Sequence, residues 1–382
     1  MQNTFEAGGR IYSAENPLLI AELGTSHGAE AGKARDLIDA AAEAGADCVK
    51  FQMVYADEIL HPNTGQVKLP GGIIRLYDTF KKLETAPGFF AGAKEYAEKR
   101  GLLFLCTPFG EKSAAELASL DPALFKIASP ELNYTALLAR IASYKKPVLL
   151  STGVSRLGDI EDAFETLCDA GGGAADGGSR MPLPHPVCLL HCVTAYPAPE
   201  TDYNLRTLRS LRAVFGVSTG VSDHSLDPEL VPCLSIAMGG LVIEKHFCLS
   251  RTDGGLDDPI ALSPPEFKRM VLAVKRAAGM ESGALIAELA RERGAALVKA
   301  VLGDGVKRLA ASERANYERT NRSLHALKDI EQGEIFHADM LGVLRTEKIL
   351  RPGLPPSWAE RIVGRTARQF IPAGEGIRFE DV

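Results

Sequence analysis

The chain has 382 residues, 46% of them apolar and 24% charged, with a formal net charge of −6. That length exceeds one ordinary compact domain and suits a barrel of about 250 residues with a small appendage, while the globular composition excludes a disordered chain. The acidic balance excludes an electrostatic footprint for nucleic acid, so any anionic ligand must be held by a local basic pocket.

From the N-terminus, MQNTFEAGGR lacks the regions of a secretory leader and no later apolar run reaches the roughly 18 residues of a membrane span, so a cytoplasmic location without a membrane partner is expected. Eight short β-rich runs then follow in order: LLIAEL, DCVKFQ, LLFLCT, LFKIAS, VLLST, VCLLHC, GVSTGVS and LVIEKHF. Amphipathic stretches such as KARDLIDAAAEAGA, PGFFAGAKEYAEKRG and GDIEDAFETLCDA lie between them, several ending at glycine, a usual helix stop. A doubly wound sheet has the same rhythm, but the strand count and length favour an α/β chain folded as a (β/α)8 TIM barrel. A long loop from about Met53 to Ala86 follows the second run, where length on a barrel's strand ends points to function. The Gly/Pro-rich stretch Ala170 to Pro186 reads as a surface connection remote from chemistry. PPEFKRMVLAVKRAAG closes the barrel, which spans 1–280. Residues 281–320 read as a helical linker, and 321–382 as a small β-rich domain. Within that domain KDIEQGEIFHADM and QFIPAGEGIRFEDV share a pattern, a weak internal duplication. The seven cysteines are scattered without a CxxC pair, which argues for buried reduced thiols rather than a disulfide framework or zinc site.

In such a barrel the active site lies where strands end. The polar residues there are Glu22, Lys50, Gln52, Thr107, Lys126, Ser129, Ser151, Thr152, His191, Ser222, Asp223, His224, Glu244, Lys245 and His246. His224 and His246 end consecutive strands, and neutral imidazoles with oxygen ligands suit a divalent Lewis acid, manganese or magnesium rather than structural zinc. His191, one strand earlier, is either a third ligand or a hydrogen-bonding group behind the ligands. Lys50, Lys126 and Lys245 would repel in one ring unless an anion joined them, and a phosphate with a carboxylate, helped by Ser129, Ser151, Thr152 and Ser222, resolves that conflict. The alternatives are that Lys245 pairs with an acidic neighbour and that a lysine forms a Schiff base. Glu22 is either a general base or the salt-bridge partner of Lys50.

The strings IAELGTSHGAEAGKARDLIDAAAEAGADCVKFQ, TPF, FKIASPELN, PVLLSTG, LLHCVTAYPAP, VSDHS and VIEKHF followed by GLDD resemble, in order and spacing, the sialic acid synthase family, including its spore-coat polysaccharide relatives. The tail from about Arg322 resembles the antifreeze-protein-like, or SAF, domain of that family. The resemblance implies a metal-dependent condensation of phosphoenolpyruvate with N-acetylmannosamine or a related amino-sugar, giving a nine-carbon 2-keto acid and phosphate. It implies that His224 and His246 bind a manganese-type ion, with magnesium as the alternative, and that Glu22, Lys50 and Lys126 serve catalysis. Thr107, Phe109, Ser129, Ser151 and Ser222 fall at positions that hold phosphoenolpyruvate, and Gln52, Tyr196 and Asp257 at positions lining the sugar side. The family's V-x-R-P-G arginine, which reaches a partner's site in a domain-swapped homodimer, corresponds to Arg345, with Arg351 as substitute, in VLRTEKILRPG. Two departures stand out. TSHGA replaces a string like INHNG beside Glu22, and Thr194 replaces a sugar-contacting asparagine, which leaves the acceptor open among N-acetylmannosamine, a diacetamido hexose and an unacetylated mannose. Two rivals differ in chemistry or class: a Schiff-base aldolase using Lys126 or Lys245 without metal, and a non-catalytic sugar-binding or assembly protein.

Overall fold

The computed structural model describes residues 4–69, 72–170, 185–347 and 349–382. Most of the Gly/Pro-rich connection, residues 171–184, lies outside the described residues. All eight apolar runs are strands: β1 Leu18–Gly24, β2 Cys48–Met53, β3 Leu103–Pro108, β4 Phe125–Ile127, β5 Val148–Ser151, β6 Val187–Cys192, β7 Ser218–Asp223 and β8 Val242–His246. They pair in parallel in the order β3-β2-β1-β8-β7-β6-β5-β4, with β8 joined to β1 and His246 opposite Glu22. The ends of this ladder, β3 and β4, are consecutive in the chain, so the sheet is a nearly closed (β/α)8 barrel. A helix follows each strand. Local chemistry sets the helix ends: the first, Ala31–Ala44, stops at Gly45 in the left-handed region at φ 92°, and the last, Pro264–Ala278, opens with a Ser263–Glu266 capping box.

Strand alternation divides the core in two. Leu19, Val49, Phe104, Leu150, Leu189 and Ile243 face outward and pack under the helices. Leu18, Ile20, Cys48, Leu105, Leu149, Leu190 and Val242 face inward and fill the lower barrel, plugged by Phe5, Ala7 and Tyr12 of the antiparallel hairpin Phe5–Ala7/Arg10–Tyr12. Gly220 serves this inner packing, because a Cβ there would stand 2.3 Å from the Val242 carbonyl oxygen. The filled lower half leaves only the strands' C-terminal ends to line a cavity. None of the seven cysteines, all of them among the described residues, forms a disulfide. Among the described residues no helix is long and apolar enough to cross a membrane.

The long loop after β2 has structure of its own: a short helix Ala56–Ile59, a hairpin Gln66–Leu69/Gly72–Arg75 and a helix Leu76–Leu83, gathered around Val54, Ile59, Leu60, Val67, Phe80 and Phe109. Within 281–320, Ser282–Arg293 and Ala295–Leu302 are helical and pack Leu285, Leu289, Val298 and Val301 into the barrel's outer core. Residues 303–320 run on without a further α-helix.

The C-terminal unit has its own core around Leu324, Ile330, Phe336, Ile362, Ile371 and Ile377, and an antiparallel pair, β9 Arg322–Ala326 and β10 Leu341–Arg345. The repeat visible in the sequence forms an internal two-fold. Ile330 and Ile371 exchange both backbone hydrogen bonds, at 3.0 and 2.9 Å, and Gly374 N–H to Ala326 O mirrors Gly333 N–H to Ala367 O.

Candidate functional site

The mouth of the barrel encloses a cavity of about 370 Å³. Of the residues read from sequence as serving catalysis, substrate or metal, Glu22, Lys50, Gln52, Thr107, Phe109, Lys126, Ser129, Ser151, Tyr196, Ser222, His224, His246, Asp257 and Arg345 line it, whereas Thr152, whose Oγ1 donates to Leu190 O at 3.2 Å, does not. Within the strands, Glu22, Lys50, Gln52, Thr107, Lys126, Ser151, Ser222 and His246 follow from parity, because each shares the inward-facing phase of its strand toward the C-terminal end. Parity also removes two candidates. His191 and Lys245 sit one residue out of phase and point behind the barrel wall. Lys245 Nζ donates to Asp223 Oδ2 at 2.6 Å, Ser225 O at 2.7 Å, Ser225 Oγ at 3.1 Å and Asp227 O at 3.0 Å. His191 Nε2–H donates to the Tyr203 carbonyl at 2.5 Å, and burial, aided by the Lys307 charge, pushes its pKa down to about 3. Of the alternatives the sequence left open, Lys245 is thus the one paired with an acidic neighbour and His191 the hydrogen-bonding group behind the ligands, and neither faces the cavity.

Glu244, which the sequence reading placed at a strand end without giving it a role, is the inward neighbour of Lys245 and the hub of the cavity floor. Lys50 Nζ lies 3.0 Å from Glu22 Oε2 and 3.2 Å from Glu244 Oε1, and Lys126 Nζ lies 3.7 Å from Glu244 Oε1. Gln52 Nε2 donates to Glu22 Oε1 at 2.8 Å, and Ser222 Oγ to Glu244 Oε1 at 2.9 Å. The lysines are therefore not waiting unpaired for an anion, as expected from sequence; two carboxylates balance them. Those carboxylates differ. Burial, reinforced by the Glu244 charge, raises the Glu22 pKa above the carboxylate range, whereas at Glu244 the pull of Lys126 and Lys50 outweighs burial and holds the pKa low. Of the two carboxylates, Glu22 is the one with the greater proton affinity. Burial lowers the Lys126 pKa despite Glu244. Ser151 Oγ is buried here without a hydrogen-bond partner in the chain, as expected of a group that meets a ligand.

The imidazoles occupy the adjoining wall, with ring centroids 5.3 Å apart and Tyr196 stacked on His224 at 4.3 Å. His224 Nδ1–H donates to Val193 O at 3.0 Å, which fixes the tautomer and leaves Nε2 as a lone-pair donor. Asp257 Oδ2 stands 3.7 Å from His246 Nδ1, and burial followed by the Glu22 charge lifts the Asp257 carboxyl pKa to about 6. Burial and the neighbouring His224 keep His246 neutral, well below the ordinary imidazole range. Cys192 Sγ lies 3.9 Å from His224 Nδ1; burial opposes charging either group, but their mutual attraction wins, raising the imidazole and lowering the thiol. Among the described residues no three His, Cys, Asp or Glu side chains converge as a closed metal cage. Two adjacent imidazoles, that of His224 with its tautomer fixed, fit an open site, whose remaining positions water and substrate oxygens would fill.

The C-terminal unit roofs the cavity. Arg345 donates through Nη2 to Glu131 Oε1 at 2.6 Å and stacks over Phe109, 5.3 Å from the ring centroid. The resemblance put this arginine into a partner subunit; in the single chain it lines its own barrel. Arg351, the substitute, is turned into the C-terminal unit, donating to Asp381 Oδ2 at 2.6 Å and Gly376 O at 2.8 Å. Arg322 clasps roof to barrel: wholly buried, it donates to Glu131 Oε1 at 3.1 Å, Glu58 O at 2.5 Å and Phe109 O at 2.6 Å. Glu131, Arg322 and Cys192 are the parts sequence reasoning missed, and Glu244 is the one it named without a role. For Glu244 and Cys192 the signal was strand parity.

The NeuB family profile matches residues 37–284 and the SAF domain profile residues 321–382. The spore coat polysaccharide biosynthesis protein SpsE of Bacillus subtilis is 32% identical over 99% of this chain and 97% of its own length, and its crystal structure superposes with a TM-score of 0.78 over 99% of both chains. The N,N'-diacetyllegionaminic acid synthase of Campylobacter jejuni is 32% identical over 94% of this chain and 98% of its own. The crystal structure of an N-acetylneuraminic acid synthetase from Leptospira borgpetersenii, 28% identical, covers 83% of this chain and 96% of its own with a TM-score of 0.64.

Proposed function

Because the chain belongs to the NeuB family and carries a C-terminal SAF domain, we propose that it is a synthase joining phosphoenolpyruvate to the open-chain aldehyde of an N-acylated amino-sugar, for surface polysaccharide. The observation that carries this reading is one cavity holding Lys50 and Lys126 on paired carboxylates of opposite proton affinity, beside two adjacent imidazoles. In the proposed reaction C3 of phosphoenolpyruvate bonds to the aldehyde carbon, water adds at C2, and the C2–O bond to phosphate breaks to leave a nine-carbon 2-keto acid. Lys50, Lys126 and the Ser129, Ser151 and Ser222 hydroxyls bind the phosphate and carboxylate. Glu22, oriented by Gln52, holds the attacking water and takes its proton, which its raised pKa favours. Gln52, Tyr196, Asp257 and Arg345 orient the sugar. A divalent ion held by His224 and His246, manganese before magnesium given the nitrogen donors, would supply Lewis-acid polarisation of the aldehyde. The proposal extends to a homodimer that exchanges C-terminal domains, in which the same Arg345 and Arg322 contacts form between subunits.

Phosphate release from phosphoenolpyruvate, measured with Mn2+ against N-acetylmannosamine, diacetamido hexoses and mannose, tests the proposal. Release with one sugar supports it, and silence across the panel favours a sugar-binding protein. The lowered Lys126 pKa favours one alternative, a Schiff-base aldolase. A borohydride-trapped adduct at Lys126, with activity surviving EDTA, would establish that alternative instead.

A further inference from the structure

Beneath the loops that follow β5 and β6 lies a group of buried and half-buried polar side chains that the reaction does not use. They come from the stretch between the barrel's last helices and the C-terminal unit. Glu313 is 1% exposed. Its Oε1 accepts from the Val154 N–H and the Thr194 N–H, both at 2.7 Å, and its Oε2 accepts from the Ala310 N–H at 3.1 Å. One carboxylate thus ties together loops forty residues apart. Lys307 Nζ donates to Thr152 O at 2.8 Å, and Asn321 Nδ2 donates to Val154 O at 3.1 Å. Asn316 Nδ2 donates to Thr194 O at 3.3 Å.

The β5 loop needs this support. Val154 sits at φ 40°, in the left-handed region that a β-branched residue rarely enters, and such a conformation persists only when its surroundings over-determine it. Both of its backbone polar groups are held by this stretch, the N–H by Glu313 and the carbonyl by Asn321. The strained turn also presents the site. Gly153 N–H donates to Ser129 Oγ at 2.9 Å, and a Cβ on Gly153 would stand 2.1 Å from Thr194 Oγ1 and 2.9 Å from Ser129 Oγ. The loop, Ser129 and Thr194 therefore interlock with no spare room, next to the unpartnered Ser151 hydroxyl.

We propose that Glu313 is a positioning residue for the anion-binding end of the cavity: from the connecting segment it locks the Ser151–Val154 loop and Thr194 into the geometry that receives phosphoenolpyruvate. This rests on the synthase reading above. Because the loop grips the donor in ground state and transition state alike, loosening it weakens binding more than turnover.

The experiment uses the full-length, Mn2+-supplemented enzyme, with Glu313→Ala and the nearly isosteric Glu313→Gln. Steady-state phosphate release is measured with each substrate varied, and phosphoenolpyruvate binding by calorimetry without sugar. Glu313→Ala loses both amide contacts and is expected to raise the phosphoenolpyruvate KM and Kd about 10- to 100-fold, with kcat and the sugar KM changed less than about threefold. Glu313→Gln keeps an oxygen acceptor for the two amides but turns its NH2 toward the Ala310 N–H, so an intermediate rise of about three- to tenfold is expected. If Glu313→Ala does not fold, Glu313→Gln decides alone. An active wild type whose Glu313→Gln variant keeps the phosphoenolpyruvate KM and Kd within about twofold overturns the inference and leaves the synthase reading standing. An equal loss for donor and sugar also overturns it, since that is general loosening. A wild type that neither turns over nor binds phosphoenolpyruvate overturns both.

Discussion

Lys245→Met separates a structural lysine from a chemical one. The ammonium is 1% exposed and makes four hydrogen bonds, one of them to Asp223, whose side chain is wholly buried. Methionine fills the stem's volume but strips the charge, so Asp223 keeps the Ser225 N–H at 2.8 Å while losing its cation, and the Ser225 and Asp227 carbonyls lose a donor. Breaking a buried pair from one side costs about 3–5 kcal/mol, because the remaining charge stays desolvated. With a urea dependence of about 3 kcal/mol per M or more for a chain of this size, the barrel's unfolding midpoint should fall by about 1 M. Removing both charges in Lys245→Met with Asp223→Asn should recover part of that loss, since coupled partners are not additive. The assay is urea unfolding followed by circular dichroism, paired with kcat on the folded fraction in the absence of urea. Lys245 faces away from the cavity, so kcat should stay within about threefold of wild type. A kcat loss beyond about 100-fold with the midpoint unmoved would refute the reasoning and return Lys245 to the chemistry.

Three further outcomes follow from the geometry. EDTA treatment should cut phosphate release about 100-fold or more, with recovery on adding Mn2+, and His246→Ala should abolish the metal-dependent activity with an unchanged circular dichroism spectrum; near-normal turnover by the variant would strike His246 from the ligands. Arg322→Met should destabilise the join between barrel and C-terminal unit by about 3–5 kcal/mol, since it strands Glu131 with Arg345 alone and leaves the Glu58 and Phe109 carbonyls undonated. Limited proteolysis reads this as faster cleavage between the two units, and wild-type rates would contradict it. In the C-terminal unit, His325 Nδ1–H donates to Gly374 O at 2.8 Å and Nε2 accepts from Ser323 Oγ at 2.9 Å; burial pushes its pKa from 6.5 down to about 4. Below pH 6.5 the unfolded chain binds a proton that the folded one refuses, so stability should fall by about 3 kcal/mol as pH drops toward 4 and then level off. His325→Gln should flatten that slope, measured by denaturant midpoints across pH, and an unaltered slope would assign the effect elsewhere.

What the sequence disclosed, and what it hid, divides along a physical line. Runs such as VCLLHC and LVIEKHF announce strands because apolar side chains on both faces of a strand mark one buried on both sides. The same runs carry the information that sorts Glu244 and His246 inward and Lys245 outward, since one-residue alternation leaves no other choice once His246 is taken as facing the cavity. Reading strand ends as clusters of polar residues lost that parity, which is how Lys245 and His191 stood on equal terms with Glu244, and why Glu244 was given no role. The roof was hidden for a different reason. Arg322, Glu131 and Glu313 act mainly on backbone groups or on partners 150 or more residues away in the chain, and a backbone carbonyl has no letter in the sequence. Val154 shows the same limit: its left-handed turn has no local glycine or asparagine to announce it, because the restraint comes from Glu313 and Asn321. A site whose chemistry sits at strand ends was therefore legible residue by residue, while the scaffold that holds those ends in place emerges only when the chain returns on itself.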